Sequence, residues 1–277
     1  MRKWGQRVLT GLLALYLVYG LVMVGTHRRY IYPFARDVFD DPRFHQVMIP
    51  VPGADPVPAA VYLSPDPDAA VILYFMGNVG NLGAFQPAFD LHIAAGRSVI
   101  ALEYRGGGGV PGHPREADLK ADALALYDWS VAQGSAGQGL KGPLVAHGFS
   151  LGTGLALHVA ANRPVAAVVL DAPYARICDL MARASWLPAC LLPFVDHWSN
   201  VAYAGRVSAP ILIQHGDADQ TIPLAQAKQL AARLTEAGAA VTMFTLGVAG
   251  HASLIDHPDY AGHLAAFIQA LPPSGGS

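Results

Sequence analysis

The sequence predicts an α/β domain with a mostly parallel central sheet and helices on both faces, preceded by one transmembrane helix. Two observations predict this class. Short apolar runs alternate with longer segments of helical periodicity, and a charge-free apolar segment stands near the N-terminus. Strand–helix alternation is typical of parallel sheets, because each parallel connection needs a crossover. The 277 residues are enough for one such domain and a short appendage.

The N-terminal segment from Val8 to Gly25 contains no charged residue. As a helix it is about 27 Å long at ~1.5 Å per residue, close to the thickness of the hydrocarbon core of a bilayer. We interpret residues 1–27 as an uncleaved signal anchor and residues 28–277 as the main domain. A cleaved signal peptide and a buried soluble helix are the alternatives. The positive charge before the segment weakly favours a cytoplasmic N-terminus, with the main domain on the outer, periplasmic or extracytoplasmic side.

Composition excludes several classes of protein. The chain is 53% hydrophobic, only 14% charged and has a net charge of −2, so it has no electrostatic footprint for nucleic acid. Its two cysteines, Cys178 and Cys190, are too few for a disulfide scaffold or a four-cysteine zinc site. They would pair in an oxidising compartment, and two free buried thiols are the equal alternative.

Eight apolar runs are predicted as strands, most of them continuous in the way expected of strands buried on both faces. They are Val47–Val51, Ala59–Leu63, Ala70–Phe75, Ser98–Tyr104, Pro143–His147, Ala166–Leu170, Pro210–Gln214 and Val241–Leu246. Five segments have helical spacing: Gly83–Ala95, Glu116–Gln133, Leu151–Asn162, Leu224–Ala237 and His257–Leu271. Tyr174–Val207 interrupts the alternation and is predicted as a small helical lid over the carboxyl edge of the sheet. Pro272–Ser277 is expected to be a frayed tail.

Residues 148–152 read Gly-Phe-Ser-Leu-Gly. This motif follows a predicted strand and opens a predicted helix, which is the context of a nucleophile elbow that lifts Ser150 above the sheet. Outside that context the pattern is weak, and the alternative is a helix-capping serine beside glycines needed for packing. His147, directly before the motif, is predicted as a packed structural residue.

A serine hydroxyl is a poor nucleophile unless a base accepts its proton. Of eleven histidines, His251 is the best placed, because it follows the last predicted strand and precedes the final helix. The acid that orients the histidine should leave a neighbouring strand end. Asp217 and Asp219 both follow one strand and Asp171 ends the preceding one, so spacing alone leaves all three open.

Acyl chemistry also needs hydrogen-bond donors for the developing oxyanion. The backbone N–H of Leu151, directly after the serine, is the first predicted donor. The second is the backbone N–H of Asn78, in the glycine-containing loop 76–81 that follows the strand 70–75. The alternative is an ordinary glycine-rich turn between strand and helix.

Taken together, these motifs resemble the α/β-hydrolase superfamily, and within it the Bem46-like and ABHD13-like membrane-anchored serine hydrolases. The resemblance extends from about Tyr30 to Ala266. It rests on the following segments: Tyr32-Pro33, Tyr74–Asn78 with Gly80-Asn81, Glu103–Gly106, Gly112 with Pro114 and Glu116, Gly148–Gly152, Ala172–Tyr174, His215–Pro223 and Gly250-His251.

The resemblance implies a triad of Ser150, Asp219 and His251, because the family's acid is the second aspartate of the loop after the strand. It also implies hydrolysis through an acyl-enzyme, with no metal or organic cofactor. In the family's oxyanion loop a histidine precedes Gly-Asn, whereas this chain has Met76 there. The second donor is a backbone group and is therefore expected to survive, although the loop's hydrogen bonding must differ.

The predicted function is cleavage of a carboxylic ester or thioester on a small-molecule or lipid-like acyl substrate, with the membrane contacted through the N-terminal helix. The preference for lipid-like groups rests on the apolar lid and the anchor. Two alternatives stay open: a peptidase or amidase that uses the same triad, and a non-catalytic membrane-anchored module that retains the fold.

Overall fold

The computed structural model describes residues 2–137 and 140–271, so the predicted tail Pro272–Ser277 lies outside the described residues. Its eight strands form one sheet in the order β1-β2-β4-β3-β5-β6-β7-β8. β2 pairs antiparallel with both neighbours, and the pairs from β4 to β8 are parallel. The strands are β1 (His45–Ile49), β2 (Val57–Tyr62), β3 (Val71–Phe75), β4 (Ser98–Leu102), β5 (Leu144–Phe149), β6 (Ala167–Asp171), β7 (Ile211–Gly216) and β8 (Val241–Leu246).

The helices are α1 (Arg2–Ile31), α2 (Gln86–Ala94), α3 (Glu116–Ser135), α4 (Gly152–Asn162), α5 (Ile177–Ser185), α6 (Leu224–Glu236) and α7 (Tyr260–Gln269). The predicted α/β fold with a mostly parallel central sheet and helices is confirmed. Strands β3, β4, β6 and β7 are buried along their whole length, while β8 at the edge is half-exposed. Apolar runs therefore mark the central strands, because both of their faces are covered by other elements.

Two predicted helices begin later than their sequence pattern suggests. The pattern from Gly83 is divided between a short 3-10 turn, Leu82–Phe85, and α2, which has a proline in its first turn. A proline is tolerated there because the first N–H groups of a helix have no partner within the helix. The pattern from His257 becomes helical only at Tyr260, since residues 251–259 form turns around the predicted catalytic histidine.

The segment between β6 and β7, Tyr174–Val207, is called the insert below. It contains α5 and two short 3-10 helices, Ala189–Leu191 and Asn200–Tyr203. Cys178 and Cys190 form a disulfide within it, which decides between the paired and free alternatives. Among the described residues, Cys178, Asp179 and Cys190 place their possible metal-ligand atoms within 4.8 Å of one another, but a disulfide offers no thiolate to a metal.

The N-terminal helix α1 is long and apolar enough to cross a membrane, with a mean hydropathy of 2.2 in its most apolar window, where no residue is fully buried by the rest of the chain. Its C-terminal end, in contrast, is tied to the insert through Asp196. This carboxylate accepts both Nε and Nη2 of Arg28 at 3.2 Å, the hydroxyl of Tyr32 at 2.7 Å and the backbone N–H of Glu116 at 3.3 Å. Burial raises the pKa of Asp196, but the hydrogen bonds from Arg28 and Tyr32 outweigh it and hold that pKa below its usual value.

The hydroxyl of Tyr32 connects two buried groups, since it also accepts the indole N–H of Trp198 at 2.8 Å. Tyr32→Phe leaves that N–H and one carboxylate oxygen of Asp196 without this partner. We expect a loss of about 2 kcal/mol of stability and a Tm lower by about 6 °C, because unsatisfied buried polar groups cost 1–3 kcal/mol each. Thermal unfolding of the full chain in detergent measures the Tm of the variant and of the wild type. Tyr30→Phe is the matched control, since the Tyr30 side chain is 66% exposed, and equal Tm shifts in the two variants would contradict the assignment.

Candidate active site

Ser150 stands on a sharp turn between β5 and α4. Its φ of 51° lies in the left-handed region, which a non-glycine residue rarely adopts and which stores of order 1–3 kcal/mol of strain. The turn is held from below, because the backbone N–H of Ser150 donates to the carbonyl of Asp171 at 2.8 Å. The predicted strand–turn–helix geometry around the serine is therefore present.

The flanking glycines are required by close backbone approach. A Cβ at Gly152 would overlap the carbonyl oxygen of Phe75 on β3, and one at Gly148 would overlap the carbonyl of Gly152 itself. Because real Cβ atoms do not approach backbone atoms so closely, any larger residue at these positions would push the turn out of place. Close packing thus requires both glycines of the motif, and the resulting turn fixes the position of the Ser150 hydroxyl.

The structure brings the three predicted side chains together in one hydrogen-bonded chain. Nε2 of His251 lies 3.0 Å from Oγ of Ser150. On the other side of the ring, Nδ1 of His251 lies 2.7 Å from Oδ2 of Asp219. A carboxylate only accepts, so Nδ1 carries the proton and Nε2 is free to accept the serine proton. This arrangement can deprotonate an alcohol as it attacks a carbonyl.

Asp219 is fixed by its own loop. Its Oδ1 accepts the backbone N–H groups of Thr221 and Ile222, each at 2.8 Å, which leaves Oδ2 for His251. Burial raises the pKa of Asp219, but the hydrogen bond and charge of His251 and the N–H of Ile222 outweigh it and keep the pKa below its usual value. Nε2 of the neighbouring His215 donates to the backbone carbonyl of Ile222 at 2.8 Å, and burial lowers the pKa of His215.

The other two candidate acids have different partners. Asp217 accepts the backbone N–H of Val248 at 2.7 Å and so braces the loop that carries His251. Asp171 lies beneath the elbow, where Oδ2 contacts Nε2 of His147 at 2.6 Å and accepts the hydroxyl of Tyr260. Neither carboxylate reaches His251 in the hydrogen bonds of the described residues.

A buried polar network under the elbow was not foreseen beyond the structural role assigned to His147. Nη1 of Arg97 lies 3.3 Å from Nδ1 of His92, and Nε2 of His92 lies 2.9 Å from Nδ1 of His147. Arginine only donates, so each ring accepts on Nδ1 and donates from Nε2, and the chain ends on Asp171. Burial, His147 and Arg97 all lower the pKa of His92, in keeping with a neutral ring. The one feature of the sequence that points to this network is the presence of polar side chains inside otherwise apolar segments.

The predicted oxyanion donors face the same space as the serine. Asn78, Ser150 and Leu151 line one cavity, and a Cβ built on Gly77 would lie 3.5 Å from Cβ of Ser150. Among the described residues, neither the N–H of Asn78 nor that of Leu151 donates to a backbone acceptor. Both N–H groups are therefore available to a negatively charged oxygen next to the hydroxyl.

The replacement of the family histidine by Met76 changes how this loop is held. The Met76 side chain is buried, and its carbonyl accepts the hydroxyl of Tyr104 at 2.8 Å. The carbonyl of Val79 accepts the backbone N–H of Ala35 at 2.7 Å. These bonds come from β4's end and from the segment after α1, so the loop keeps two external supports without an imidazole.

The cavity beside Ser150 has a volume of about 220 Å³. It lies between the end of α1, the elbow, the loop after Asp219 and one face of α5. Of the described residues that line it, none is Asp, Glu, Lys or Arg: they are Tyr30, Ile31, Asn78, Ser150, Leu151, Tyr174, Ile177, Leu180, Met181, Ala184, Thr221 and Ile222. Such a lining suits an apolar chain attached to a small polar group.

The sheet order, the strained serine turn and the Ser–His–Asp arrangement define an enzyme of the α/β-hydrolase class. The profile of the Peptidase_S9 family, the prolyl oligopeptidase family, matches residues 120–271, which is more than half of the chain. The chain therefore belongs to the prolyl oligopeptidase family.

Curated relatives are similar over part of the chain. An uncharacterized protein of Mycobacterium tuberculosis H37Rv is 34% identical over 57% of this chain and 56% of its own length. Human protein ABHD12B is 32% identical over 49% of this chain and 41% of its own length. The lysophosphatidylserine lipase ABHD12 of Danio rerio is 30% identical over 58% and 46%, respectively. The chain thus spans about half the length of the curated relatives it matches.

Solved structures show the same fold at low sequence identity. The esterase Pf2001 of Pyrococcus furiosus superimposes with a TM-score of 0.69 and 17% identity, over 85% of this chain and 98% of that chain. Esterase 2 of Thermogutta terrifontis, phosphoramylated by tabun, gives a TM-score of 0.65 and 21% identity over the same shares. These likenesses confirm the α/β-hydrolase fold.

Proposed function

We propose that this chain is a membrane-anchored serine esterase in which Ser150, His251 and Asp219 form the catalytic triad. The observation that carries the proposal is the continuous chain from the hydroxyl of Ser150 to the imidazole at 3.0 Å and on to the carboxylate at 2.7 Å. Oγ of Ser150 attacks the ester carbonyl while Nε2 of His251 accepts its proton. The N–H groups of Asn78 and Leu151 donate to the oxyanion that forms.

The second half of the reaction restores the enzyme. His251 gives its proton to the leaving alcohol, the C–O bond breaks and an acyl group stays on Ser150. The same ring then accepts a proton from water as the water oxygen attacks the acyl carbonyl. It returns that proton to Oγ of Ser150 as the bond between Oγ and the acyl carbon breaks, which releases a carboxylic acid. Asp219 stabilises the imidazolium in both steps, because its carboxylate faces Nδ1.

For the substrate, we propose a long-chain acyl ester such as a lysophospholipid. An uncharged cavity of about 220 Å³ next to the serine supports this choice, as does its position at the end of an apolar helix. The names of the relatives, a lysophosphatidylserine lipase and two esterases, support an ester rather than an amide. The family name supports the second candidate, a peptidase or amidase that uses the same triad.

For the location, we propose that α1 anchors the chain in a membrane with the hydrolase domain on the outer side. The disulfide between Cys178 and Cys190 supports that side, because disulfides persist in oxidising compartments and are rare in the cytosol. The basic residues that precede the apolar segment point the same way.

Labelling with a fluorophosphonate probe tests the proposed function in the membrane fraction. We expect the wild-type chain to be labelled and Ser150→Ala to remain unlabelled, because the probe reacts with activated serines. A panel of long-chain and short-chain p-nitrophenyl esters, a lysophospholipid and aminoacyl amides then compares kcat/KM. Unlabelled wild-type protein would refute the esterase, and amides hydrolysed faster than esters would favour the peptidase.

A further inference from the structure

The insert has an apolar tip, defined here as residues 184–195. These twelve residues read ASWLPACLLPFV and contain no charged side chain, while Arg183 and Asp196 flank them. Three large apolar side chains of the tip point away from the protein: Trp186 is 87% exposed, Leu191 82% and Phe194 86%. Trp186 and Phe194 also have positive φ, a backbone conformation that is strained for residues other than glycine.

The apolar tip packs on the membrane-spanning part of α1. The hydroxyl of Tyr16 donates to the carbonyl of Trp186 at 3.0 Å, and that of Tyr19 donates to the carbonyl of Ser185 at 3.1 Å. A Cβ on Gly20 would lie 3.6 Å from Cδ2 of Leu187. The tip therefore lies beside the apolar segment of α1 rather than beyond its end.

These contacts fix the depth of the tip relative to a bilayer. Tyr19 and Tyr16 lie about 9 Å and about 14 Å before Gly25 along the helix axis, at ~1.5 Å per residue. The charge-free segment of α1 is only just long enough to span the hydrocarbon core, so in the membrane-spanning orientation proposed above both tyrosines lie at hydrocarbon depth. In hydrocarbon, a carbonyl or hydroxyl without a hydrogen-bond partner costs free energy. Each of the two hydrogen bonds pairs one tyrosine hydroxyl with one backbone carbonyl of the insert.

The apolar tip is connected to the serine by one face of α5. Ile177, Leu180, Met181 and Ala184 follow the i, i+3, i+4, i+7 spacing of a single helical face, and all four line the cavity beside Ser150. Ile177 is the first residue of α5, and Ala184, in its last turn, is the first residue of the tip. An apolar surface thus runs from the active site to the part of the insert that lies beside α1.

We propose that the apolar tip inserts into the acyl region of the bilayer leaflet on the side of the hydrolase domain. Acyl chains then reach Ser150 from this leaflet along α5. The insert is then a second membrane contact in addition to the anchor, with a lipid leaflet as its partner. Insertion itself does not depend on catalysis, whereas the route of the acyl chain rests on the proposed esterase function.

A fluorophore placed on the tip tests the insertion in the full-length chain. Phe194→Cys labelled with the environment-sensitive dye NBD is reconstituted into phosphatidylcholine nanodiscs, with and without a lipid that carries a nitroxide on its acyl chain. The control is Val131→Cys on α3, which lies fifteen residues, about 22 Å, beyond Glu116 and is 41% exposed. We expect blue-shifted emission and strong nitroxide quenching at position 194 and neither at 131. Equal, water-like emission at the two positions would overturn the proposal.

The same measurement in a Ser150→Ala background separates tip insertion from the proposed esterase function, because an inactive chain should still insert.

A kinetic experiment tests the proposed route of the acyl chain along α5. We expect the triple variant Trp186→Ser, Leu191→Ser, Phe194→Ser to hydrolyse a bilayer-embedded lysophospholipid about tenfold more slowly, since less apolar surface enters the leaflet. Hydrolysis of p-nitrophenyl acetate, a soluble ester, should stay within about twofold of wild type, because none of the three residues lines the cavity. An unchanged rate on the embedded lipid, or an equal loss on both substrates, would overturn the route.

Discussion

Replacing Ser150 with alanine is expected to lower kcat for ester hydrolysis by about 10⁶-fold, the size of effect known for loss of a triad nucleophile. The variant has no oxygen that can attack the carbonyl or form the acyl-enzyme. Alanine is smaller than serine and fits the same backbone, so the elbow should persist with φ near 51°. Steady-state kinetics on a p-nitrophenyl ester measures the loss, and circular dichroism checks the fold.

The matched variant is His251→Ala, which should be about as inactive as Ser150→Ala. The double variant should be no worse than either single one, because the two side chains act as one unit in the proton transfer. If Ser150→Ala kept more than a small fraction of wild-type turnover, another nucleophile would have to carry the reaction.

Asp219→Asn is expected to lower kcat by about 10⁴-fold with little change in stability. The reason lies in how the asparagine side chain must orient. Its oxygen will face the N–H groups of Thr221 and Ile222, which can only donate. Its NH₂ group then faces Nδ1 of His251 and donates to it, which forces the ring proton onto Nε2. In that tautomer the histidine cannot accept the proton of Ser150.

Asp217→Asn is the matched control for this prediction, since Asp217 is the neighbouring acid of the same loop. Its partner is the backbone N–H of Val248, and an asparagine oxygen can accept that hydrogen bond equally well. We expect kcat within about threefold of wild type, because the bracing contact is kept. A pH–rate profile for each variant completes the test. If Asp217→Asn abolished turnover and Asp219→Asn did not, the assignment of the acid would be wrong.

Much of the fold could be predicted because its signals are local. Buried parallel strands are apolar runs, and the glycines of residues 148–152 are dictated by contacts of the turn with its own helix and with Phe75. The serine was recognisable for the same reason. The boundaries of α2 and α7 were less accurate, since turns before a helix can have helical spacing without helical hydrogen bonds.

The acid could not be selected from spacing, because Asp171, Asp217 and Asp219 all leave strand ends close to one another. The resemblance to serine hydrolases selected Asp219, and in the structure Oδ2 of Asp219 lies 2.7 Å from Nδ1 of His251. The network of His92, His147 and Asp171 was only partly visible, since its members come from different elements. Contacts between distant elements leave no periodic signal in the sequence.

The sequence by itself determined the α/β class and the apolar N-terminal helix and singled out Ser150 and His251 as candidates, because periodicity, length and glycine spacing depend on near neighbours in the chain. Only the tertiary structure decided which aspartate meets the imidazole, that Cys178 and Cys190 pair, and that the insert packs beside α1. These outcomes depend on distances between segments up to 170 residues apart, which the sheet order and the packing of the insert fix.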